Sequence, residues 1–394
     1  MTNKPRFVGE KVKLGVLCEV CSGGTPKRSV PEYWNEGSIP WVKISDISSK
    51  FVSSTEEQIT EEGLKGSSAK MFSPGTVLYS IFASIGAVGI LEIPAATNQA
   101  IAGLSIKTDK IEKDYLYHFL KSQEALAKLS GRGAAQNNIN LTILRGMEVP
   151  VPPIDDQKAI AQQLEGVAVQ IEQATEQLDQ LDSLVKSRFV EMFGDPVANP
   201  KGFRRSTLGS VISVQPSNGL YKPQKDYVTD GAGHPIVRID SFRPEGPDYV
   251  RLKRLNCTDA ELTRYGLNEE DIVINRVNSI GCMGKTMLIC DIPEPVVFES
   301  NMMRLHADES QMLPAFLYAQ MTSDYSKEYF ESSAKRAIGQ ASINQTDVKQ
   351  LPVLVPDLKT QNDYLAFVQQ VDKLKYDGLS DICPIGVKCM VRLD

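Results

Sequence analysis

The chain has 394 residues, 42% of them apolar and 23% charged, with a formal net charge of −6. That is the composition of a globular protein of two or three domains, not of a disordered, collagenous or disulfide-stapled chain. The first nine residues are polar and no apolar run approaches the ~20 residues needed to cross a bilayer, so neither a signal peptide nor a membrane segment is expected; seven irregularly spaced cysteines argue for reduced thiols in a cytoplasm.

The first segment opens with short β-rich runs separated by turn signals, such as Val77 to Ile81 and Val88 to Ile93. Ahead of them, the loop Ser22-Gly23-Gly24-Thr25-Pro26-Lys27-Arg28 offers backbone N–H groups, a hydroxyl and two cations, a set suited to phosphate. Lys43 follows in the run Pro40-Trp41-Val42-Lys43-Ile44. An amphipathic helix is expected from about Asp114 to Leu129. A polar stretch comes next, with Arg132, Gln136, Asn137, Asn138 and Asn140. Its amides could pair with adenine edges and its arginine with guanine, although Asn, Gln and Gly also serve simply to make turns. The strand Val149-Pro150-Val151 is halted by Pro152-Pro153.

From Asp156 to about Met192 the apolar residues are Ile160, Leu164, Val167, Ile171, Ala174, Leu178, Leu181 and Val185, at alternating steps of four and three. This is a heptad seam on an otherwise polar rod, with Asp155 or Asp156 fitting as its N-cap. The rod also carries the acidity: residues 156–200 hold 3 Lys/Arg against 8 Asp/Glu, whereas residues 1–155 hold 17 against 16 and residues 201–356 hold 18 against 19. Bulk charge therefore neither excludes nor argues for a nucleic-acid partner. Phe193-Gly194-Asp195-Pro196 ends the rod.

The segment after the rod repeats the one before it. Gln136, Ile139, Asn140, Thr142, Val149, Val151, Pro152 and Gln157 recur 204 residues later as Gln340, Ile343, Asn344, Thr346, Val353, Val355, Pro356 and Gln361. Pro40 to Ile44 and Ser84-Ile85-Gly86 recur at an offset of 195, and Leu14-Gly15 at 194. Colinear matches with small drift are the trace of a duplication. The second copy again promises strands (Ile272 to Ile274, Thr286 to Ile289), one helix from Leu313 to Phe330 and a closing helix. Its seam continues at Val368 and Val371, but Gly378 falls where Ala174 would map, so the helix is expected to end near residue 376. Polar candidates in this copy are Lys222, Arg238, Asn275, Arg276, Asn278, Arg336, Gln340, Ser342 and Asn344.

The fold class is α+β, with an internal pseudo-twofold repeat. It comprises a β-rich domain (1–153), a helical spacer (154–193), a second β-rich domain (194–356, with a linker over 194–203), a shortened helix antiparallel to the spacer (357–376) and an irregular tail (377–394). Catalytic patterns are weak. Cys18 and Cys21 form a lone CxxC whose repeat counterparts are Ile212 and Gln215, so a buried strand thiol is preferred to zinc. Gly284-Lys285-Thr286 has Ser279 where a phosphate loop needs glycine, and His118, His234 and His306 stand apart. No metal, cofactor or catalytic residue is assigned.

The order Leu14-Gly15, Ser22 to Pro26, Pro40 to Ile44, Asn98-Gln99, Gln136 to Asn140, Val149 to Pro153, Gln157 and then a heptad rod, doubled around that rod, resembles the specificity subunits of type I restriction–modification systems. The resemblance covers about Leu14 to Leu374. It implies two target-recognition domains held apart by antiparallel helices, each reading half of a bipartite double-stranded DNA target. It implies two docked methyltransferase (modification) subunits, with restriction/translocase subunits outside them, and no active site in the chain itself. Two features depart from the pattern. Gln215-Pro216-Ser217-Asn218-Gly219 replaces the Gly-Gly-Thr-Pro loop, and the tail after Leu374 reads as a truncated or frameshifted continuation. A stand-alone methyltransferase or nuclease and a protein-only coiled-coil adaptor are the competing readings.

Overall fold

Each half of the chain is closed by its own first and last strands. Glu10–Lys13 pairs antiparallel with Glu148–Val151, Glu10 lying opposite Val151, and Arg204–Thr207 pairs in the same way with Pro352–Val355, Arg204 opposite Val355. The inward valines of the two closing strands, Val149 and Val353, are buried. The computed structural model describes residues 10–82, 86–129, 139–229, 231–243, 246–337 and 340–382, and the chain divides into two units, Met1–Gln170 and Ile171–Asp394.

In the first unit a five-stranded sheet runs in the order Cys18–Ser22, Ile101–Ile106, Val77–Ser80, Val88–Leu91, Phe51–Val52. Val77–Ser80 and Val88–Leu91 are buried at every position, which explains why they read as continuous apolar runs rather than alternating ones. The helix Lys113–Leu129 lays Tyr115, Leu116 and Leu120 on this sheet, against Val77, Tyr79, Val88 and Ile90. A second sheet has the order Glu57–Ile59, Ile39–Val42, Ala95–Thr97, Met71–Phe72.

The second unit repeats both sheets. Ile212–Asn218, Met302–Ala307, Ile272–Asn275 and Thr286–Leu288 form one; Tyr227–Val228, Lys253–Leu255, His234–Val237 and Val297–Phe298 form the other. The parallel pair in each second sheet is equivalent, with Trp41 opposite Ala96 in one unit and Ile236 opposite Val297 in the other. One expectation fails here. The helix expected over Leu313 to Phe330 is two, Pro314–Met321 and Asp324–Ser333. Ser323 divides them: its hydroxyl donates to the Gln320 carbonyl and accepts the Ser326 N–H, capping the second helix.

The rod is a single helix, Ile154–Phe193, starting directly after Pro153. Asp155 and Asp156 therefore lie inside its first turn instead of capping it, where their charge complements the helix dipole. The closing helix Leu358–Ile382 is longer than expected. Gly378 is exposed with open space around its Cβ position, so it costs only about 1 kcal/mol and does not stop the helix. Lys375, near the end of the expected helix, meets the rod at 2.6 Å from Asp182, and the continuation to Ile382 corrects the expectation of an irregular chain over 377–382. Residues 383–394 lie outside the described residues.

Within the second unit the two helices run antiparallel: Asp182 meets Lys375, Arg188 sits over the Phe367 ring, and Phe189 and Phe193 pack on Tyr364. Val185 and Val368 pack against the core there and Val371 is buried. The seam is not covered along its whole length. Ala174, Leu178 and Leu181 are half-buried, but Leu164, Val167 and Ile171 are 44%, 51% and 54% exposed, while Ile160 packs into the core of the first unit. Among the described residues, no helix is long and apolar enough to cross a membrane.

Candidate nucleic-acid interface

The glycine-rich loop of the first unit is held by its own backbone. Gly23 N–H donates to the Ile101 carbonyl (3.1 Å) and Gly24 N–H to that of Thr97 (2.9 Å), while the Trp41 indole N–H donates to the Gly24 carbonyl (3.0 Å). A Cβ on Gly23 would overlap the Thr97 carbonyl oxygen, and one on Gly24 the Ser68 hydroxyl. The expectation that these N–H groups face a phosphate is thus corrected: both glycines are buried and serve close packing between the two sheets. Thr25 spends its hydroxyl on Gln99, and Ser22 pairs in the sheet opposite Ala102.

The cations beside this loop converge. The Arg28 guanidinium lies 3.6 Å from the centroid of Trp34 and 2.5 Å from a Glu57 oxygen, and Lys43 Nζ lies 2.7 Å from Glu57 and 2.6 Å from Glu56. Arg28 above all, then Lys43, holds the Glu57 carboxyl below the usual range, and the hydrogen bonds that Lys43 donates to Glu56 and Glu57 raise its own pKa. Stacking on Trp34 and pairing with Glu57 restrict the orientations of the Arg28 guanidinium, although its side chain is 55% exposed. Lys27, next to it, is exposed. Glu57 carries no signal in the sequence, because only the fold brings it to Arg28, and Trp34, six residues on, has no motif that marks it as a stacking partner.

In the second unit, Val277–Asn278, Gln340–Ser342 and Lys335–Ala337 form a small three-stranded sheet. Asn278 and Arg336 both lie opposite Ala341 and share its face; Gln340 and Ser342 lie on the other face, with Lys335 opposite Ser342. Arg336, Lys335 and Gln340 are exposed. Arg276 is partly buried with a guanidinium N–H donated to the Ser300 carbonyl, and Asn275 is fully buried, so neither has the accessibility of Arg336. Lys335 is a cation the sequence reading passed over, although it adjoins Arg336.

Gly219 recovers part of the loop that the sequence seemed to lose. Its N–H donates to the Met302 carbonyl, and Leu220 N–H to that of Phe298, the counterparts of the Gly23 and Gly24 bonds. The expected departure is therefore one of side chains, with the backbone arrangement kept. Lys222 pairs with Glu261 at 2.8 Å, and Arg238 lies between Asp240 and Glu299 beside the Tyr227 ring.

The residues shared by both copies turn out to hold the fold. Asn140 Oδ1 accepts the Ile143 N–H and Asn344 Oδ1 those of Thr346 and Asp347, so each caps a short helix. Gln157 and Gln361 are fully buried, and each bolts a rod helix to its domain: Gln157 donates to the Lys110 and Pro152 carbonyls and accepts the Glu112 N–H, while Gln361 donates to Gln311 and Pro356 and accepts from Leu313. Asn344→Ala is expected to cost about 1 kcal/mol through loss of the cap, seen as a lowered unfolding midpoint, and to leave DNA sequence preference unchanged. A changed preference would return Asn344 to the reading surface. Arg132, Gln136, Asn137 and Asn138 lie outside the described residues.

Cys18 is buried, which pushes its thiol up to about 12 and disfavours the thiolate that a metal requires; Cys21 Sγ points to Glu19. Gly284 N–H donates to the Asn275 carbonyl and Thr286 Oγ1 donates to that of Gly284, a closed strand turn.

The family model for the type I restriction modification DNA specificity domain matches residues 9–182 and again 200–379, one match per copy of the fold. The type I restriction enzyme MjaIX specificity subunit of Methanocaldococcus jannaschii is 29% identical over 289 residues, which is 67% of this chain and 65% of that relative. The EcoKI specificity subunit of Escherichia coli K12 is 24% identical over 368 residues, 88% of this chain and 78% of its own length. Among solved structures, the S subunit of a type I restriction-modification system from M. genitalium superposes with a TM-score of 0.53 over 100% of this chain and 99% of that one, at 14% identity, a likeness of fold. With both halves matched around a shared rod, the chain belongs to the type I restriction–modification DNA specificity family.

Proposed function

We propose that this chain is the sequence-recognition subunit of a type I restriction–modification complex. Each unit reads one half of an asymmetric, bipartite double-stranded DNA target, and the paired helices act as the spacer. Two modification subunits dock on this scaffold with restriction subunits beyond them, and the chain contributes recognition without catalysis. The observation that carries the reading is the family match to both copies separately, each on a two-sheet unit with exposed or preorganised cations.

The test is to express the chain with its methylating partner and map modified bases across a genome. One asymmetric two-part motif is expected. Arg336→Ala should weaken or relax one half of that motif only, by roughly 1–3 kcal/mol for a lost base contact. Equal loss at both halves contradicts independent readers. Cleavage or methyl transfer by the chain alone would favour an enzyme, and no DNA binding by the assembled complex would favour a protein-only adaptor.

A further inference from the structure

The first unit grips the start of the rod through the buried Gln157 and through Ile160 and Ala161 packed in its core. Eight residues on from Gln157, Glu165 Oε2 lies 2.7 Å from Lys50 Nζ and 3.3 Å from His118 Nε2, and the same Lys50 Nζ lies 3.0 Å from Asp114 Oδ1. The Lys50 side chain is only 17% exposed, with its ammonium against the rings of Phe51 and Tyr117. Burial opposes its charge, but hydrogen bonds to Glu165 and Asp114 outweigh that and raise its pKa. Burial first, and Lys50 second, lower the His118 pKa, with Glu165 and Asp114 opposing them. After Glu165 the rod is exposed from Gly166 to Gln170.

An attachment at Glu165, about 12 Å along the helix from Gln157, fixes the angle of the rod more tightly than contacts near its start alone. A domain of about 150 residues has a radius of gyration of roughly 15 Å, so a tilt of about 10° moves its far surface by about 5 Å. One base pair rises only about 3.4 Å. We propose that Lys50 is a positioning residue. By tying Glu165 of the rod to the helix that carries Asp114 and His118, it sets the angle of the first recognition domain on the spacer and hence the number of base pairs between half-sites. This rests on the bipartite reading above.

The second unit shows that the clamp is not a requirement of the fold. Gln157 accepts the Glu112 N–H and Gln361 that of Leu313, so the helix carrying Asp114 and His118 repeats at an offset of 201 and the rod at 204, which places Ala315, Ala319 and Gln369 where the first unit has Asp114, His118 and Glu165. These three residues line a cavity of about 920 Å³, and the closing helix is held instead by Phe189, Phe193, Phe316 and Tyr364. A partly buried ion cluster is a poor source of net stability, which again points to orientation as what it supplies.

The experiment uses the full chain assembled with its methylating partner and a DNA library in which both half-sites are fixed and the gap varies by up to two base pairs. Lys50→Met is expected to reduce preference for the native gap over gaps one base pair longer or shorter about tenfold, with the half-site bases unchanged, and Lys50→Arg to retain most of that preference. If Lys50→Met does not fold, Glu165→Gln replaces it, with the same broadening expected. An intact gap preference in the folded variant overturns the clamp alone. A parent complex with no gap preference overturns the bipartite reading itself.

Discussion

Phe193→Ala is expected to destabilise the second unit by about 3–5 kcal/mol, the range for removing a fully buried aromatic. Phe193 is the last residue of the rod and is 0% exposed. Its ring is packed by Phe189 at 5.0 Å, Phe316 at 4.9 Å, Tyr364 at 5.6 Å and Phe203 at 5.7 Å between centroids, so truncation leaves a cavity bounded by four rings that cannot all collapse inward. Those rings come from the rod, the helix Pro314–Met321, the closing helix and the linker, so one side chain joins four segments. Urea unfolding followed by a probe in the second unit should show the loss, while a probe in the first unit should be unmoved. A change below about 1 kcal/mol would mean that the rings repack.

Gln157→Ala is expected to cost the first unit about 3 kcal/mol. The substitution leaves the buried Pro152 carbonyl and the partly buried Lys110 carbonyl and Glu112 N–H without their partner. A buried group so orphaned costs on the order of 1–3 kcal/mol, and water recovers part of that at the other two. Gln157→Glu should be no better. It can still accept the Glu112 N–H, but it removes both donors and turns a carboxylate oxygen toward two carbonyls. Thermal unfolding of the two variants against the parent measures both, and the same pair of substitutions at Gln361 should act on the second unit. Rescue by Gln157→Glu would contradict the donor assignment.

Much of this architecture was legible in the sequence because repetition and period are properties of the chain itself. The doubled Gln, Ile, Asn, Val and Pro positions exposed the two-copy plan, and the apolar runs at Val77 and Val88 marked central strands. The failures have local causes. The apolar pattern from Leu313 to Phe330 continues through a break because Phe316, Leu317, Met321 and Phe330 all enter the same core, and only the Ser323 cap divides the helices. Gly378 looked like a stop, yet on an exposed face it costs too little to be one. The Gly23-Gly24 pair suggested an open cradle, because sequence cannot tell a glycine that admits a ligand from one that admits a neighbouring strand. The site was less legible than the fold. Arg28 is stacked on the nearby Trp34 but paired with Glu57, which is distant in sequence, and Gln340 and Arg336, close in sequence, fall on opposite faces of one small sheet.

The strand pairs that close the two units bear on how such a molecule can diversify. Since Glu10 lies opposite Val151 and Arg204 opposite Val355, each unit begins and ends at one doorway. Everything between is a detour that returns to its starting point, so an insertion or deletion in a loop changes the length of the detour without shifting where the next helix starts. The surfaces that face a target can therefore drift in size and composition while the spacing element inherits none of that variation.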